Sequence, residues 1–515
     1  MTNRTSLVIA LTTVALSATA LTACSDNSSE VAAPEPTSTT SSNQTKTPDS
    51  ATNKSLVIGI DGATFATMDE LDLPSIAALR SAGMTSRTNL GAGAFAPTLS
   101  GPGWSSMVTG VWPDKHDALD NEFKQPNFDQ YPDYLTRLEG NQPDADTYVS
   151  GAWPPIPQTV FGPTVDERRF GLGDGSTTDQ AVENLKQPDA GNVFVDLDEV
   201  DAAGHTYGSS STEYAAALKS ADERVGMLID AVEARASYED EDWLIILTTD
   251  HGHTPTGGHG AASPAEREVF VIAAGTGIEA DSQRSDVKLV DIAPTVLAHL
   301  GVPIDPTWNL DGTPLGDLKP DDFDTAYDRL KKPADETGLR ADTIGWTDEF
   351  PKGWTADDTK MPTGGPQEWD GWALTTDEFW TNTKLDEGRD ANVRSRDVFA
   401  VADATRWAAG NPDTGRFAAT LVSPEFEVEG GKDATIVYVT TYQRAFEQSA
   451  EVLVSFDGAE PVRIRAYGAD ADVNATERIT LPTPKGASTA QVSFDYSGAT
   501  GGFWTIDQVS VTSAG

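Results

Sequence analysis

Short apolar segments alternate with segments of helical periodicity through the first part of this chain of 515 residues. That alternation is typical of an α/β domain with a mostly parallel central sheet flanked by helices. Ligands bind at the carboxyl ends of the strands in such sheets, so we expect functional side chains where these strands end. The predicted strands are Leu56–Ile60, Asn192–Asp196, Trp243–Thr249 and Val269–Ala273, and the predicted helices are Pro74–Ala82, Ser211–Ala236 and Asp291–Leu300.

Three aspartates stand where the predicted sheet would gather them at one edge. Asp61 and Asp250 directly follow predicted strands, and Asp201 lies a few residues beyond a third. An isolated Asp-Gly pair, such as the one at Asp61, is more often a turn than a ligand site. The alternative for Asp201 is a helix pair with His205, because residues i and i+4 share a helix face.

The six histidines, at positions 116, 205, 251, 253, 259 and 299, all lie in the predicted α/β region. His205, His251 and His259 stand in polar, Gly-rich segments, and the first two are close to Asp201 and Asp250. Imidazole and carboxylate ligands without cysteine suit zinc, manganese or iron. A histidine after a strand is more often a structural hydrogen-bond partner than a ligand, and we assign a structural role to the other three. His253 is close enough to these segments to support a ligand.

The segment Thr98–Gly110 places a hydroxyl at a predicted helix start. Ser100 precedes Gly101-Pro102-Gly103, which is typical of a helix N-terminus, where an anion is stabilised. The alternative is a plain helix cap. With Asp61 and the histidine segments, the chain offers donors for two ions, and two ions about 4 Å apart can bind the attacking and leaving oxygens of a phosphoryl transfer.

The charge of the chain limits its partners. It has 80 acidic and 36 basic residues, for a formal net charge of −44. A nucleic-acid polymer is therefore disfavoured as a partner, because phosphate backbones bind basic surfaces. A phosphorylated small molecule would need local cations at its site, and metal ions supply them most simply.

The N-terminus predicts export. Arg4 and the apolar stretch Leu7–Leu21 form a signal peptide over residues 1–24, and Leu21-Thr22-Ala23-Cys24 resembles a bacterial lipobox. The resemblance implies cleavage before Cys24, lipid attachment there, and a place on the outer face of the cytoplasmic membrane in the bacterial cell envelope, with membrane contact only through the lipid. The alternative is a signal peptide without lipidation. Residues 25–53 are rich in Ser, Thr and Pro and predict a disordered tether.

The C-terminal third differs from the first part of the chain in composition and in hydrophobic pattern. Residues 316–390 are acidic, contain several tryptophans and predict an irregular connector, and residues 391–515 hold seven short β-branched runs that predict an antiparallel β-sandwich. This last region resembles bacterial jelly-roll accessory domains, in its closing segment Gly501–Val509 above all. Exposed tryptophans could contact cell-wall glycan, but burial in the core is the more common role of such residues.

An ordered set of motifs runs through residues 54–315. It comprises Ile60-Asp61-Gly62, the segment Pro97–Gly110, Trp112-Pro113, His116, Asp120-Asn121, Asp201–His205, Thr249–Gly252, His259-Gly260 and Val290–Thr295. In this order the motifs resemble the alkaline phosphatase superfamily, and most closely its type I phosphodiesterase/nucleotide pyrophosphatase branch. The resemblance implies two divalent ions, with zinc as the expected metal, and a small phosphorylated substrate such as a nucleotide or another phosphodiester.

The resemblance also implies a role for each matching residue. It assigns one ion to Asp61, Asp250 and His251 with Ser100, and the other ion to Asp201, His205 and His259. Ser100 would be the nucleophile and form a phosphoseryl intermediate, and Asn121 would hold a phosphoryl oxygen together with the backbone N–H that follows Ser100.

Two departures bear on the substrate. Ser100 stands where the branch usually has threonine, and Trp104 stands where serine-type sulfatases need an arginine, so a sulfatase is disfavoured. No arginine is near Ser100 in sequence to bind a monoester dianion, which favours a phosphodiester or pyrophosphate substrate. The alternatives are a phosphomonoesterase, a hydrolase of phosphonates or lipid headgroups, or a non-catalytic envelope-binding lipoprotein.

Overall fold

The computed structural model describes residues 52–91, 95–331, 339, 343–362, 369–410, 415–468, 470–499 and 501–513. The predicted signal peptide, Cys24 and residues 25–51 of the predicted tether lie outside these ranges. Of the helices that are described, none has the length and hydropathy needed to cross a bilayer. Three β-sheets organise the described part of the chain.

The first sheet contains the eight strands β1 (Thr52–Ile60), β2 (Met84–Asn89), β3 (Thr147–Gly151), β4 (Glu167–Phe170), β5 (Asn192–Leu197), β6 (Glu241–Thr248), β7 (Glu268–Ala274) and β8 (Ser282–Arg284). Their order is β4-β3-β5-β1-β6-β7-β2-β8. All neighbours pair in parallel except at β7, which runs antiparallel to β6 and β2. The predicted mostly parallel sheet is confirmed, and it includes all four strands expected from the sequence.

Helices cover both faces of this sheet. They are α1 (Phe65–Glu70), α2 (Pro74–Ala82), α3 (Ser100–Thr109), α4 (Pro113–His116), α5 (Tyr134–Asn141), α6 (Asp174–Leu185), α7 (Glu199–Tyr207), α8 (Thr212–Glu233), α9 (Pro264–Arg267) and α10 (Ile292–His299). Successive side chains of a strand point to opposite faces. Accordingly, Leu56 and Ile58 of β1 join the core under α2 and α8, whereas Val57 joins the core under α3 and α10.

The helix α3 is buried along its whole length, and one glycine allows its close approach to the sheet. A Cβ atom on Gly59 of β1 would lie 2.2 Å from the ring of Trp104, so only glycine fits beneath this indole. The β1 register ends at the pairs Ile60–Leu197 and Gly59–Thr248. The first turns of α3 lie beside the residues that follow β1 and β6, because Trp104 contacts Asp61 and Ser100 contacts His251.

The second and third sheets form the predicted antiparallel sandwich. Their strands are β9 (Trp346–Thr347), β10 (Thr355–Asp357), β11 (Trp372–Thr376), β12 (Val398–Asp403), β13 (Phe417–Glu427), β14 (Asp433–Gln443), β15 (Ser449–Phe456), β16 (Val462–Tyr467), β17 (Val473–Pro482), β18 (Thr489–Gly498) and β19 (Phe503–Ser513), with helices α11 (Asp377–Trp380) and α12 (Ala404–Gly410). The orders are β10-β13-β18-β15-β16 and β17-β14-β19-β12-β11-β9. The interval predicted as an irregular connector thus contributes three strands, β9 to β11.

The tryptophans of this part of the chain fill its core. Each is at most 9% exposed, including Trp346 at the sheet edge and Trp504 between the sheets, and the full set is Trp346, Trp354, Trp369, Trp372, Trp380, Trp407 and Trp504. A buried indole has no free face on which a sugar could stack. The core role is therefore the one that the structure supports for these residues.

Two arginines that follow one another closely in sequence join the sandwich to the α/β part. Arg394 donates to both carboxylate oxygens of Asp114 at 2.9 Å and also contacts Asp311. Arg396 donates to both oxygens of Asp291, at 2.6 and 2.8 Å, just ahead of α10. Both guanidinium groups are buried, so these paired contacts are screened little by solvent.

Candidate metal centre

Three side-chain oxygen atoms surround one histidine nitrogen at the carboxyl edge of the first sheet. The Nε2 atom of His251 lies 3.5 Å from Asp61 Oδ1, 3.3 Å from Asp250 Oδ2 and 3.3 Å from Ser100 Oγ. All four side chains are buried, and Ser100 is 6% exposed. We name Asp61, Ser100, Asp250 and His251 the buried donor set.

Hydrogen bonds from outside the buried donor set orient its two carboxylates. Trp104 donates its indole N–H to Asp61 Oδ2 at 3.0 Å, and the Gly62 N–H donates to Asp250 Oδ1 at 3.2 Å. The oxygens left over, Asp61 Oδ1 and Asp250 Oδ2, are buried without a hydrogen-bond partner. A buried carboxylate oxygen without a partner is costly, so these two atoms are suited to bind a cation.

The electrostatics of the buried donor set favour a cation. Burial raises the pKa of Asp61 and Asp250 well above the ordinary value, and the carboxylate of Asp250 raises that of Asp61 further. Burial also lowers the pKa of His251 well below its ordinary value, so its imidazole is neutral at pH 7. Nδ1 of His251 contacts the Gly252 carbonyl at 3.0 Å and must carry the proton, because a carbonyl only accepts. The Nε2 lone pair therefore faces carboxylate oxygens, an arrangement that a metal ion would stabilise.

A second group of donors lies beside the first and is more open. His205 Nε2 lies 3.3 Å from Asp201 Oδ2 and 3.0 Å from His259 Nε2, and His259 Nε2 lies 3.5 Å from Asp201 Oδ1. Nδ1 of His259 donates to the Thr98 carbonyl at 2.8 Å, which leaves its Nε2 lone pair for a ligand bond. The side chain of His205 is 53% exposed. We name Asp201, His205 and His259 the open donor set.

Most contacts in the two donor sets match the spacing of ligands on one zinc ion. Ligand atoms that bind one zinc ion at about 2.0–2.2 Å in a tetrahedron are about 3.3–3.6 Å apart. Five of the six contacts lie between 3.3 and 3.5 Å, and the one between His205 Nε2 and His259 Nε2 is shorter, at 3.0 Å. Donor atoms within 4.8 Å of one another form two groups among the described residues, one of Asp61, Asp201 and His251, the other of Asp201, His205, His253 and His259. Asp201 belongs to both groups and lies between the two donor sets.

The predicted oxygen-binding groups lie beside Ser100. Leu99, not Ser100, occupies the N-cap position of α3, and no side chain caps this helix, so the plain-cap alternative does not describe Ser100. The Gly101 N–H, the backbone donor expected to hold a phosphoryl oxygen, donates to Asn121 Oδ1 at 2.7 Å. This bond engages Oδ1 of Asn121, and its Nδ2 group is a separate donor.

Two residues support the donor sets, and the sequence predicted only one of them. Trp104 orients Asp61, and its position four residues after Ser100, on the same face of α3, is the signal that could have indicated it. His253, expected from the sequence to lie close enough to support a ligand, contacts Asp201 directly at 2.7 Å. Both contacts are formed between residues far apart in sequence.

The other two histidines have structural roles in the described fold. His116 is buried, contacts the Ser106 hydroxyl at 3.0 Å and accepts from the Ala118 N–H, and burial lowers its pKa to about 3. His299 contacts the carbonyl oxygens of Lys54 and Asp242, each at 3.0 Å. Neither lies in a donor set.

Comparison with protein families agrees with this geometry. Residues 55–160 match the type I phosphodiesterase/nucleotide pyrophosphatase family, and residues 171–304 match the metalloenzyme superfamily. The predicted family likeness is confirmed. The first match contains Asp61, Ser100 and Asn121, and the second contains every histidine of the two donor sets.

Individual relatives match over limited segments. GPI ethanolamine phosphate transferase 1 of Yarrowia lipolytica is 32% identical over 105 residues, which are 20% of this chain and 11% of that protein. Ectonucleotide pyrophosphatase/phosphodiesterase family member 3 of Mus musculus is 26% identical over 209 residues, which are 36% of this chain and 23% of that protein. Less than a quarter of each relative is therefore matched.

Two solved structures are similar to this chain over about half of its length. The murine ectonucleotide pyrophosphatase/phosphodiesterase 5 in complex with AMP has a TM-score of 0.39 and 14% identity, covering 49% of this chain and 96% of that chain. A 2-O GAG sulfatase has a TM-score of 0.39 and 14% identity, covering 52% of this chain and 73% of that chain.

Proposed function

We propose that this protein is a two-metal hydrolase that cleaves phosphodiester or pyrophosphate bonds through a phosphoseryl intermediate on Ser100. The observation that carries the proposal is the pair of buried, unpartnered oxygens of Asp61 and Asp250, which face the neutral His251 nitrogen beside the Ser100 hydroxyl. Zinc is the proposed metal, because both donor sets combine imidazole with carboxylate and contain no thiolate.

Each residue of the site has a distinct role in the proposed reaction. Divalent ions held by the two donor sets would supply the charge that lowers the pKa of the Ser100 hydroxyl and stabilises the leaving oxygen. Ser100 Oγ attacks phosphorus and forms a P–O bond while the bond to the leaving group breaks. Asn121 donates from Nδ2 to a non-bridging oxygen and stabilises the negative charge of the transition state. Water then attacks phosphorus and releases Ser100.

The charge of the site supports a diester in preference to a monoester. Among the described residues, no lysine or arginine forms an ion pair with Asp61, Asp201 or Asp250. A phosphodiester carries a single negative charge at phosphorus and needs less compensation than a monoester dianion. Nucleotide-like diesters and pyrophosphates are thus the proposed substrates.

The test compares bis(4-nitrophenyl) phosphate with 4-nitrophenyl phosphate, with zinc supplied. We expect kcat/KM for the diester to exceed that for the monoester by at least about tenfold, which is about 1.4 kcal/mol of transition-state binding. Preference for the monoester would instead support the phosphomonoesterase alternative. Bound metal without turnover of either substrate would support a binding protein.

Transfer to an alcohol is the second candidate function. Several relatives are named GPI ethanolamine phosphate transferases, including proteins of Yarrowia lipolytica and Saccharomyces cerevisiae. The same phosphoseryl intermediate could release its group to an alcohol instead of water. With phosphatidylethanolamine vesicles and methanol, free phosphoethanolamine would indicate hydrolysis of a lipid headgroup, and its methyl ester would indicate transfer.

We also propose that Cys24 carries the lipid anchor and places the protein on the outer face of the cytoplasmic membrane. The apolar stretch and lipobox-like residues before this single cysteine support the proposal. Metabolic labelling with a radioactive fatty acid tests it, with Cys24→Ala as the matched variant. Label retained by that variant would contradict the proposal.

A further inference from the structure

We propose that a cavity between the α/β part and the sandwich binds a small zwitterion, with Lys288 binding its carboxylate and Asp397 its ammonium group. The cavity has a volume of about 170 Å³. We name it the interface cavity, and its wall includes Arg87, Asn89, Glu268, Lys288, Asp377 and Asp397. The proposal does not rest on the metal centre, because no residue of either donor set lines the interface cavity.

The interface cavity lies at the carboxyl edge of the first sheet, on the side of β2 and β7. Arg87 and Asn89 come from the end of β2, and Glu268 begins β7. The sandwich contributes Asp377 at the start of α11 and Asp397 just ahead of β12. In open α/β sheets ligands bind outside the carboxyl ends of the strands, and small-molecule sites are frequent at domain interfaces. The interface cavity meets both conditions.

Lys288 is a buried cation without a partner. It is 4% exposed, and its ammonium group forms no ion pair with any carboxylate among the described residues. Neighbouring charges are already paired, Arg87 with Glu268 and Asp377 with Arg267. Burial lowers the pKa of Lys288, because the ammonium form loses its hydration there. An anionic group bound at Nζ would offset this cost.

Asp397 supplies the opposite charge to the interface cavity. Its Oδ1 atom is buried without a hydrogen-bond partner, and no ion pair joins its carboxylate to a described residue. Burial raises the pKa of Asp397, whereas the charge of Lys288 lowers it, so the two groups interact at a distance. The backbone at Asp397 has a φ of 41°, in the left-handed region that non-glycine residues rarely adopt. The fold thus holds this carboxylate in the cavity wall at a conformational cost.

The two charges and the volume define the class of ligand. A zwitterion can pair with Lys288 and Asp397 at once, whereas an ion of one sign would leave one of the two charges uncompensated. An engineered cavity of about 150 Å³ holds benzene, so the interface cavity admits a molecule of about six non-hydrogen atoms. An α-amino acid with a short side chain has this size and both charges. The Thr343 hydroxyl, which is buried without a partner and lines the same wall, offers a further hydrogen bond.

Isothermal titration calorimetry of the full-length protein tests the proposal with glycine, L-alanine and L-serine. Propionate and ethylamine are the matched probes, because each is alanine without one of its charged groups. We expect at least one amino acid to form a one-to-one complex with a Kd of about 1 mM or tighter, and each matched probe to bind at least about tenfold more weakly. If water alone occupies the interface cavity, no amino acid gives a saturable signal, and the proposal is overturned. Equal affinity for propionate and L-alanine would also overturn it.

Two variants assign the charges. Lys288→Met keeps most of the side-chain volume, and Asp397→Asn keeps a residue that accepts a positive φ. We expect each to weaken amino-acid binding by at least about tenfold, and Lys288→Met not to lower the Tm of the ligand-free protein, because a buried unpaired charge is removed. Lys219→Met changes an exposed lysine of α8 and should leave binding unchanged. Wild-type affinity in either cavity variant, or a loss as large in Lys219→Met, would contradict the proposal.

Discussion

The buried donor set and the open donor set lie side by side but differ in chemistry and in access to solvent. The buried set offers three oxygens and one nitrogen, each oriented or enclosed by the core. The open set offers two nitrogens and one carboxylate, and His205 faces solvent. One sheet edge thus offers a buried place for the proposed nucleophile and a more accessible place for the proposed leaving group.

The largest effect should come from Ser100→Ala, because it removes the proposed nucleophile from the buried set. We expect kcat for the diester to fall by on the order of 10⁴-fold or more, with both zinc equivalents still bound. Steady-state kinetics and metal analysis measure the two quantities. Ser105→Ala is the matched control, because its hydroxyl lies on the same helix, buried and without a hydrogen-bond partner. Activity retained in Ser100→Ala would disprove the nucleophile assignment.

The next largest effect is on zinc affinity, and we expect it to be greater for a ligand in the buried donor set than for one in the open donor set. Asp250→Asn keeps the acceptor for the Gly62 N–H but removes a buried charge, so we expect one zinc equivalent to weaken by at least about 100-fold. His205→Ala removes a half-exposed ligand, and we expect a loss of about tenfold in the other equivalent. Competitive zinc titration compares them. Equal losses would show that burial does not distinguish the sets.

The pH dependence of metal binding should also distinguish them. Burial raises the pKa of Asp61 and Asp250, so the metal-free protein keeps protons on these carboxyls above the ordinary aspartate range. Metal binding must release those protons, and zinc affinity of the buried set should therefore rise with pH, by up to about tenfold per unit for each proton released. Calorimetric titration in buffers of different ionisation enthalpy counts the protons.

The sign of the stability effect follows from the same shifts. A carboxyl whose pKa is raised by folding makes the metal-free protein less stable as pH rises from the ordinary value towards the raised one. Bound zinc removes that loss, so the gap in Tm between zinc-bound and metal-free protein should widen with pH in this interval. A gap that narrows would contradict the shifts assigned to Asp61 and Asp250.

The smallest effect should come from Trp104→Phe. An aromatic ring is kept at this position, but the outer indole atoms that lie over Gly59 and the hydrogen bond to Asp61 Oδ2 are both lost. The Asp61 carboxylate is then free to rotate. We therefore expect the zinc affinity of the buried donor set to fall by about threefold to tenfold. The open set should be unaffected in the same titration. A change confined to the open set would reverse the assignment of this contact.

Much of the architecture follows from local pattern. The strand β1 is an apolar run that ends at Asp61, and the sheet then brings this residue close to Asp250 because both follow neighbouring parallel strands. The supporting contacts do not follow from local pattern. His253 reaches Asp201 only because Gly62 and Gly204 leave room for its ring, and this depends on packing between distant segments. The strands β9 and β10 are too short to show a period of two.

The arginine contacts of the sandwich have a consequence for how the molecule behaves as a whole. Arg396 binds Asp291, and the segment around Asp291 packs against the end of α3 at Gly110. The accessory sheets are thus fastened to the far end of the helix that presents Ser100. Removing them would leave the carboxylate of Asp291 uncompensated in the interior, which is costly. The sandwich therefore supports the α/β part, and we expect the two to unfold together in a single thermal transition.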